Sequence, residues 1–255
     1  MAAQPLLSFA DEKQNCVPGL HNVTDDTHRI APPRFTVSWE TTADPEVDIV
    51  IEVIREWSPI GADRFYQLVL DNFYNCATFF RVVPGFVIQF GLAAEPEETA
   101  KWDHAIVDDT YNVQSNKLGT LSFAMAGPGT RTSQIFVNLA DNTNLDSQGF
   151  TPFARTIAGS SVWHEIYNPT KESGGASQGK LTREGNKWIL AEFPDIDLIL
   201  STSYEIIEND DDTNDTPVPA SEAALDTPVP TASRNLQLVL CALEVSVLLL
   251  LIKFY

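Results

Sequence analysis

Apolar residues in this chain come in short runs, each closed by Gly, Pro, Asn or Asp. RFTVSWETT (residues 34–42), VDIVIEVIREW (47–57), TFFRVVP (78–84), FVIQFG (86–91), GTLSFAMA (119–126) and SQIFVNLA (133–140) are such runs. β-Branched and aromatic residues dominate them, as they do in pleated, half-buried strands. In the second run Ile49, Ile51 and Val53 fall on one side of an extended chain, and Val50, Glu52 and Ile54 on the other. SPIGADRFYQLVLDNFYN (58–75) reads instead as a helix. Ser58 suits the N-cap and Pro59 the first turn, and Ala62, Phe65, Tyr66 and Val69 share one face. Many short strands with one early helix predict a mainly β fold, a closed barrel capped by helices.

The bulk numbers narrow the function. Of 255 residues, 44% are hydrophobic and 10% aromatic, enough for a real core. A net charge of −19 argues against general nucleic-acid binding, which rests on Lys and Arg neutralising phosphates. Three cysteines, Cys16, Cys76 and Cys241, make neither a disulfide framework nor a zinc site, though a single Cys16–Cys76 bridge is compatible with them. The four histidines form no close cluster with cysteine, so a metal site is not expected.

The chain divides unevenly. Residues 1–34 form a mixed polar extension whose start lacks the basic and apolar regions of a signal peptide. Residues 35–205 carry the strand pattern. Residues 206–233 are acidic and Pro-rich, with DTPVP occurring twice, and read as a self-repelling linker. The tail, 234–255, holds the apolar run LQLVLCALEVSVLLLLI (236–252) between Arg234 and Lys253. As a helix that run is about 25 Å long, a little short of a ~30 Å hydrocarbon core. Glu244 in its middle would cost about 2–3 kcal/mol there. A C-terminal membrane anchor is the leading reading; a cleaved GPI-type tail and a soluble docking helix are the others. Asn22 and Asn214 stand in glycosylation sequons, which matter only in the secretory pathway.

One residue breaks the apolar pattern. In FFRVVPGFVIQF (79–90) nine of twelve residues are Phe, Val, Ile or Pro, and Arg81 stands among them. A guanidinium does not shed its charge, so it faces water, meets a partner or serves a site. Nearby, AGPGT (126–130) lacks the Lys-Ser/Thr of a phosphate loop, and Ser133 with His164 lacks any hydrolase motif.

Three ordered motifs settle the context of Arg81. FFRVVPGFVIQFG, GTLSFAMAGPGTRTSQIFVNL and NLDSQGFTPFARTI together resemble the cyclophilin family of peptidyl-prolyl isomerases, and QGKLTREGNKWILAEFPDIDLIL resembles the C-terminal helix and strand of a cyclophilin subgroup. The resemblance covers about residues 35–200. It implies an eight-stranded antiparallel β-barrel closed by two α-helices, with no cofactor. It places Arg81 at the catalytic arginine, with Phe86 and Gln89 beside it. Val87, Ala124, Met125, Gln134, Phe136, Leu145 and Phe150 fall on the substrate groove.

The implied chemistry suits these residue types. A prolyl bond rotates over a barrier of ~18–20 kcal/mol without being broken. A fixed cation that donates to the prolyl nitrogen weakens the amide resonance as the bond twists, and apolar walls hold the ring. The sequence also departs from the family. Val87 replaces a common Met, Met125 a common Asn, Phe150 a frequent His and Ala154 a usual Gly. Asn144 replaces the tryptophan of cyclosporin-sensitive members, so weak cyclosporin binding is expected. The resulting expectation is an isomerase of Xaa-Pro bonds that assists folding of proline-containing polypeptides, tethered to a membrane by its tail, with the cytosolic or luminal side open. The alternative is a catalytically weak proline-binding scaffold in a membrane-associated complex.

Overall fold

The computed structural model describes residue 13 and residues 16–19, 30–110, 113–171 and 173–207. Eight strands build its single sheet: β1 (Arg34–Thr41), β2 (Ile49–Ile54), β3 (Arg81–Val83), β4 (Val87–Phe90), β5 (Thr120–Phe123), β6 (Ile135–Asn138), β7 (Pro152–Ala158) and β8 (Ile199–Ile206). Their order is β3-β4-β6-β5-β7-β2-β1-β8, and each of these strand pairs is antiparallel. The sheet curls until its ends approach. Thr78 bridges Leu198, and backbone bonds join Phe79 N to Asp197 O and Ile199 N to Ala77 O. The seam is therefore a short bridge and not a full strand pair, which qualifies the expected closed barrel.

The period of two along the strands sorts side chains into two bodies. Ile49, Ile51 and Val53 of β2, Ile88 of β4, Leu121 and Phe123 of β5, and Ile135 and Val137 of β6 point into the main core, around the fully buried Trp39. Val87, Ala124 and Phe136 point the other way and join a separate apolar cluster on the outer face.

Among the described residues two helices cover the sheet, as expected, and two shorter ones accompany them. Helix α1 (Pro59–Leu70) buries Ala62, Phe65, Leu68 and Val69 in the main core. Tyr66 is only half-buried, packing edge-on against Phe35 and Tyr204. Ser58 is the N-cap residue, but its own side chain makes no capping bond. Asp109 does that work from 48 to 49 residues away, accepting from Ile60 N at 2.8 Å and Gly61 N at 2.9 Å. It also accepts from Ser58 Oγ and the buried Arg131. Helices α2 (Pro96–Trp102) and α3 (Val162–Glu165) are short. The long α4 (Gln178–Glu192) buries Leu181 and Ile189 with Phe80, Leu92, Ala176 and Ile196 in a third cluster.

Helix α4 bends at Gly185, where φ is +57°. A side chain there would stand 2.2 Å from Ala94 O. Next to the bend, Asn186 donates to Cys76 O at 2.8 Å. Cys76 is disulfide-bonded to Cys16, so the N-terminal segment is fastened beside the seam of the sheet. The pairing left open by the sequence is thus made. Cys241, the expected linker from residue 208 onward, the apolar tail and both sequons lie outside the described residues. Among the described residues no helix is long and apolar enough to cross a membrane.

Candidate active site

Arg81 opens β3, and Gln89 of β4 is its register partner across the strand pair. Its Nη1 donates to Gln89 Oε1 at 3.0 Å, and its Nε donates to Ser173 O at 2.6 Å. Gln89 in turn donates through Nε2 to Gln134 Oε1 at 2.9 Å. An arginine, two glutamines and a carbonyl thus form one chain of bonds along the outer face of β3 and β4. The arginine meets partners and not bulk water: it is 0% exposed, and burial pulls its pKa down from the usual guanidinium range to about 10. It therefore stays cationic at neutral pH.

That segment is fitted closely to the arginine. At Gly175 φ is +73°, and a Cβ would lie 2.5 Å from Arg81 Cβ and 2.7 Å from Phe80 O. Ala176 N donates to Phe80 O at 2.8 Å and holds the segment there. Only glycine allows that approach.

Beside the polar chain lies the outer apolar cluster: Phe86, Val87, Ala124, Met125, Phe136, Leu145 and Phe150, with Val83 packed against it. All the groove residues expected from the sequence are brought together in it, except Gln134, which joins through its bond to Gln89. Phe150 stands edge-on to Phe136 at 5.6 Å between ring centroids. Leu145 comes from a 3₁₀ turn, Thr143–Gln148, which ends at Gly149 with φ +87°. A cleft of about 240 Å³ adjoins Gln89, Met125 and Gln134, lined also by Thr99 and Asp103 from the α2 region and by Gln178 and Thr182 of α4. Ser133, already without a hydrolase motif in the sequence, is buried, and its Oγ donates to Gly91 O. Among the described residues no group of three or more His, Cys, Asp or Glu is placed to hold a metal ion.

Sequence reading missed Ser173 and Gly175. The Gly-Gly pair at 174–175 was the available signal, but nothing local tied it to an arginine 92 residues earlier.

Known proteins share this arrangement of motifs and fold. The family profile described as cyclophilin type peptidyl-prolyl cis-trans isomerase/CLD matches residues 36–184. A peptidyl-prolyl cis-trans isomerase of Acinetobacter baylyi is 35% identical over 133 residues, covering 50% of this chain and 71% of that protein. The isomerase ppi1 of Schizosaccharomyces pombe is 36% identical over 120 residues, covering 45% and 75%. In fold, the chain is similar to a cyclophilin type isomerase of Cryptosporidium parvum crystallised in the presence of the dipeptide Ala-Pro. The TM-score is 0.50 with 20% identity, over 68% of this chain and 99% of that one. With more than half of its length matched by the profile, this chain belongs to the cyclophilin-type peptidyl-prolyl cis-trans isomerase family.

Proposed function

We propose that Arg81 is the catalytic donor of this isomerase and that the outer apolar cluster is its proline pocket. The observation that carries the reading is the bonded chain Arg81–Gln89–Gln134 at the edge of that cluster. As the prolyl C–N bond twists, its nitrogen lone pair leaves the amide resonance and becomes an acceptor. A buried guanidinium beside it donates there and stabilises the twisted state more than either planar isomer, which is what lowers a barrier. Phe86, Val87, Phe136, Leu145 and Phe150 take the pyrrolidine ring out of water. Gln89, Gln134 and the backbone at Met125 hold the flanking carbonyls. No bond breaks, so no nucleophile is needed.

The test is prolyl cis/trans exchange on a short Xaa-Pro peptide, comparing the protein with Arg81→Ala. Removal of the donor lowers kcat/KM by roughly 10²–10³. An Arg81→Ala variant as fast as the parent moves the site elsewhere. If parent and variant are both slow but still bind the peptide, the groove is a docking surface.

The cellular setting is part of the same proposal. The enzyme works on proline-containing segments of folding chains, held at a membrane by residues 236–252, with its domain on an oxidising side. The Cys16–Cys76 bond supports that side, because such bonds persist in oxidising compartments and are rare in the cytosol. Protease protection of the full chain in sealed membranes tests it; digestion from the cytosolic side rejects it.

A further inference from the structure

The pocket walls come from places where the sheet does not hold them. Phe86 precedes β4, Leu145 lies in the 3₁₀ turn, and Phe150 falls between that turn and β7. A buried cluster of amides lies next to them on the same outer face. Asn116 and Asn138 have 0% exposure, and Asn142 has 6%.

Asn142 donates through Nδ2 to Phe86 O at 2.9 Å and to Asn138 Oδ1 at 2.9 Å. Its carbonyl accepts from Leu145 N at 2.9 Å, and its N–H donates to Asn116 O at 2.8 Å. Asn116 donates through Nδ2 to Phe150 O at 2.8 Å. Asn116 is itself gripped by Asp146, which accepts from both its backbone N and its Nδ2 at 2.8 Å. One network therefore touches the backbone of three wall residues. It spans 56 residues of sequence to Phe86 and 34 to Phe150.

We propose that Asn142 and Asn116, with Asp146 behind them, are positioning residues that set the shape of the proline pocket and hence its affinity for substrate. This rests on the reading of the outer cluster as that pocket. A buried carbonyl that loses its donor must find another, and the loop carrying it shifts to do so. None of these bonds involves Arg81 or Gln89, so the rotation step itself is left intact. The predicted signature is weakened binding with turnover preserved.

Asn142→Asp tests this with little change in shape. It puts a carboxylate where Nδ2 met two oxygens. For a short Xaa-Pro peptide KM rises about tenfold, while kcat changes by less than about threefold. A core control, Ile51→Val, is measured beside it, since Ile51 is fully buried in the main core. A purely structural role would lower the melting temperature of both variants and move KM in neither. Should Asn142→Asp fail to fold, Asp146→Asn, which keeps the shape and removes the charge, is read the same way. An unchanged KM in the folded variant overturns the proposal, as does an equal rise in the core control. Arg81→Ala in the same series separates the two readings: its loss of turnover alongside an unchanged KM in Asn142→Asp rejects the positioning role alone. Full activity in Arg81→Ala rejects the pocket assignment, and the positioning role with it.

Discussion

Replacing both Cys16 and Cys76 by serine isolates the contribution of the cross-link. The bond closes a loop with a sequence separation of 60. In the chain-entropy account, closing such a loop removes about 14 cal/mol/K from the unfolded ensemble, or about 4 kcal/mol at 25 °C. The folded side of the balance changes little. Cys76 N still donates to Ile199 O at 2.7 Å, and Cys76 O still accepts from Asn186. Neither bond involves sulfur, so serine keeps both. For a domain of this size each kcal/mol moves the melting temperature by about 2–4 °C. The double variant is therefore expected to melt about 8–16 °C lower. Thermal melting of oxidised parent, reduced parent and double variant measures the shift, and urea denaturation the free energy. The reduced parent and the double variant should coincide, with prolyl exchange at 25 °C unchanged because Cys76 is outside the pocket cluster. The reasoning is refuted if all three lie within about 1 kcal/mol of one another, since the loop would then be ordered without the bond.

Other outcomes follow from single contacts. Gly175→Ala brings a methyl to 2.5 Å from Arg81 Cβ at a positive φ; stability falls by more than about 1 kcal/mol and turnover drops, read by melting and exchange assays. The rate should be flat from about pH 6 to about pH 9 and then fall, not rise, as Arg81 passes its lowered pKa of about 10, because the cation is the donor. A pH-rate profile checks this, with circular dichroism confirming that the fold persists. Asn144 is exposed on the 3₁₀ turn beside the pocket; Asn144→Trp should tighten cyclosporin binding by about tenfold or more, and a submicromolar constant for the parent would contradict the premise.

The strands and α1 were legible because their signal is local. Alternation in VDIVIEVI and the 3.6-residue spacing of Ala62, Phe65 and Val69 each record one buried face. Arg81 was legible as an anomaly, a charge in an apolar run, and the motifs around it supplied its meaning. What stayed hidden was long-range. Asp109 capping α1, Ser173 holding Arg81 and Asn142 holding Phe86 are polar bonds made across 48 to 92 residues. An isolated Asn or Ser carries no periodicity, and its partner is fixed only when the sheet curls. The curl also explains Tyr66, whose helical spacing was right but whose ring lies against Tyr204 of the last strand.

The sheet that separates the main core from the outer cluster has a bearing on how such a protein can diverge. Two sets of side chains stand back to back on β4, on β6 and at the end of β5, and only the inner one completes the main core. On the proposed reading of the outer cluster as the substrate pocket, a substitution at Val87, Met125 or Phe150 would alter what it accepts while leaving Trp39, Phe65 and Phe90 of the main core in place. Substrate preference could then drift without compensating changes in the interior. The polar chain is under a tighter constraint, because Arg81, Gln89 and Gln134 are bonded in series and a change at one leaves its neighbour's partner unmet.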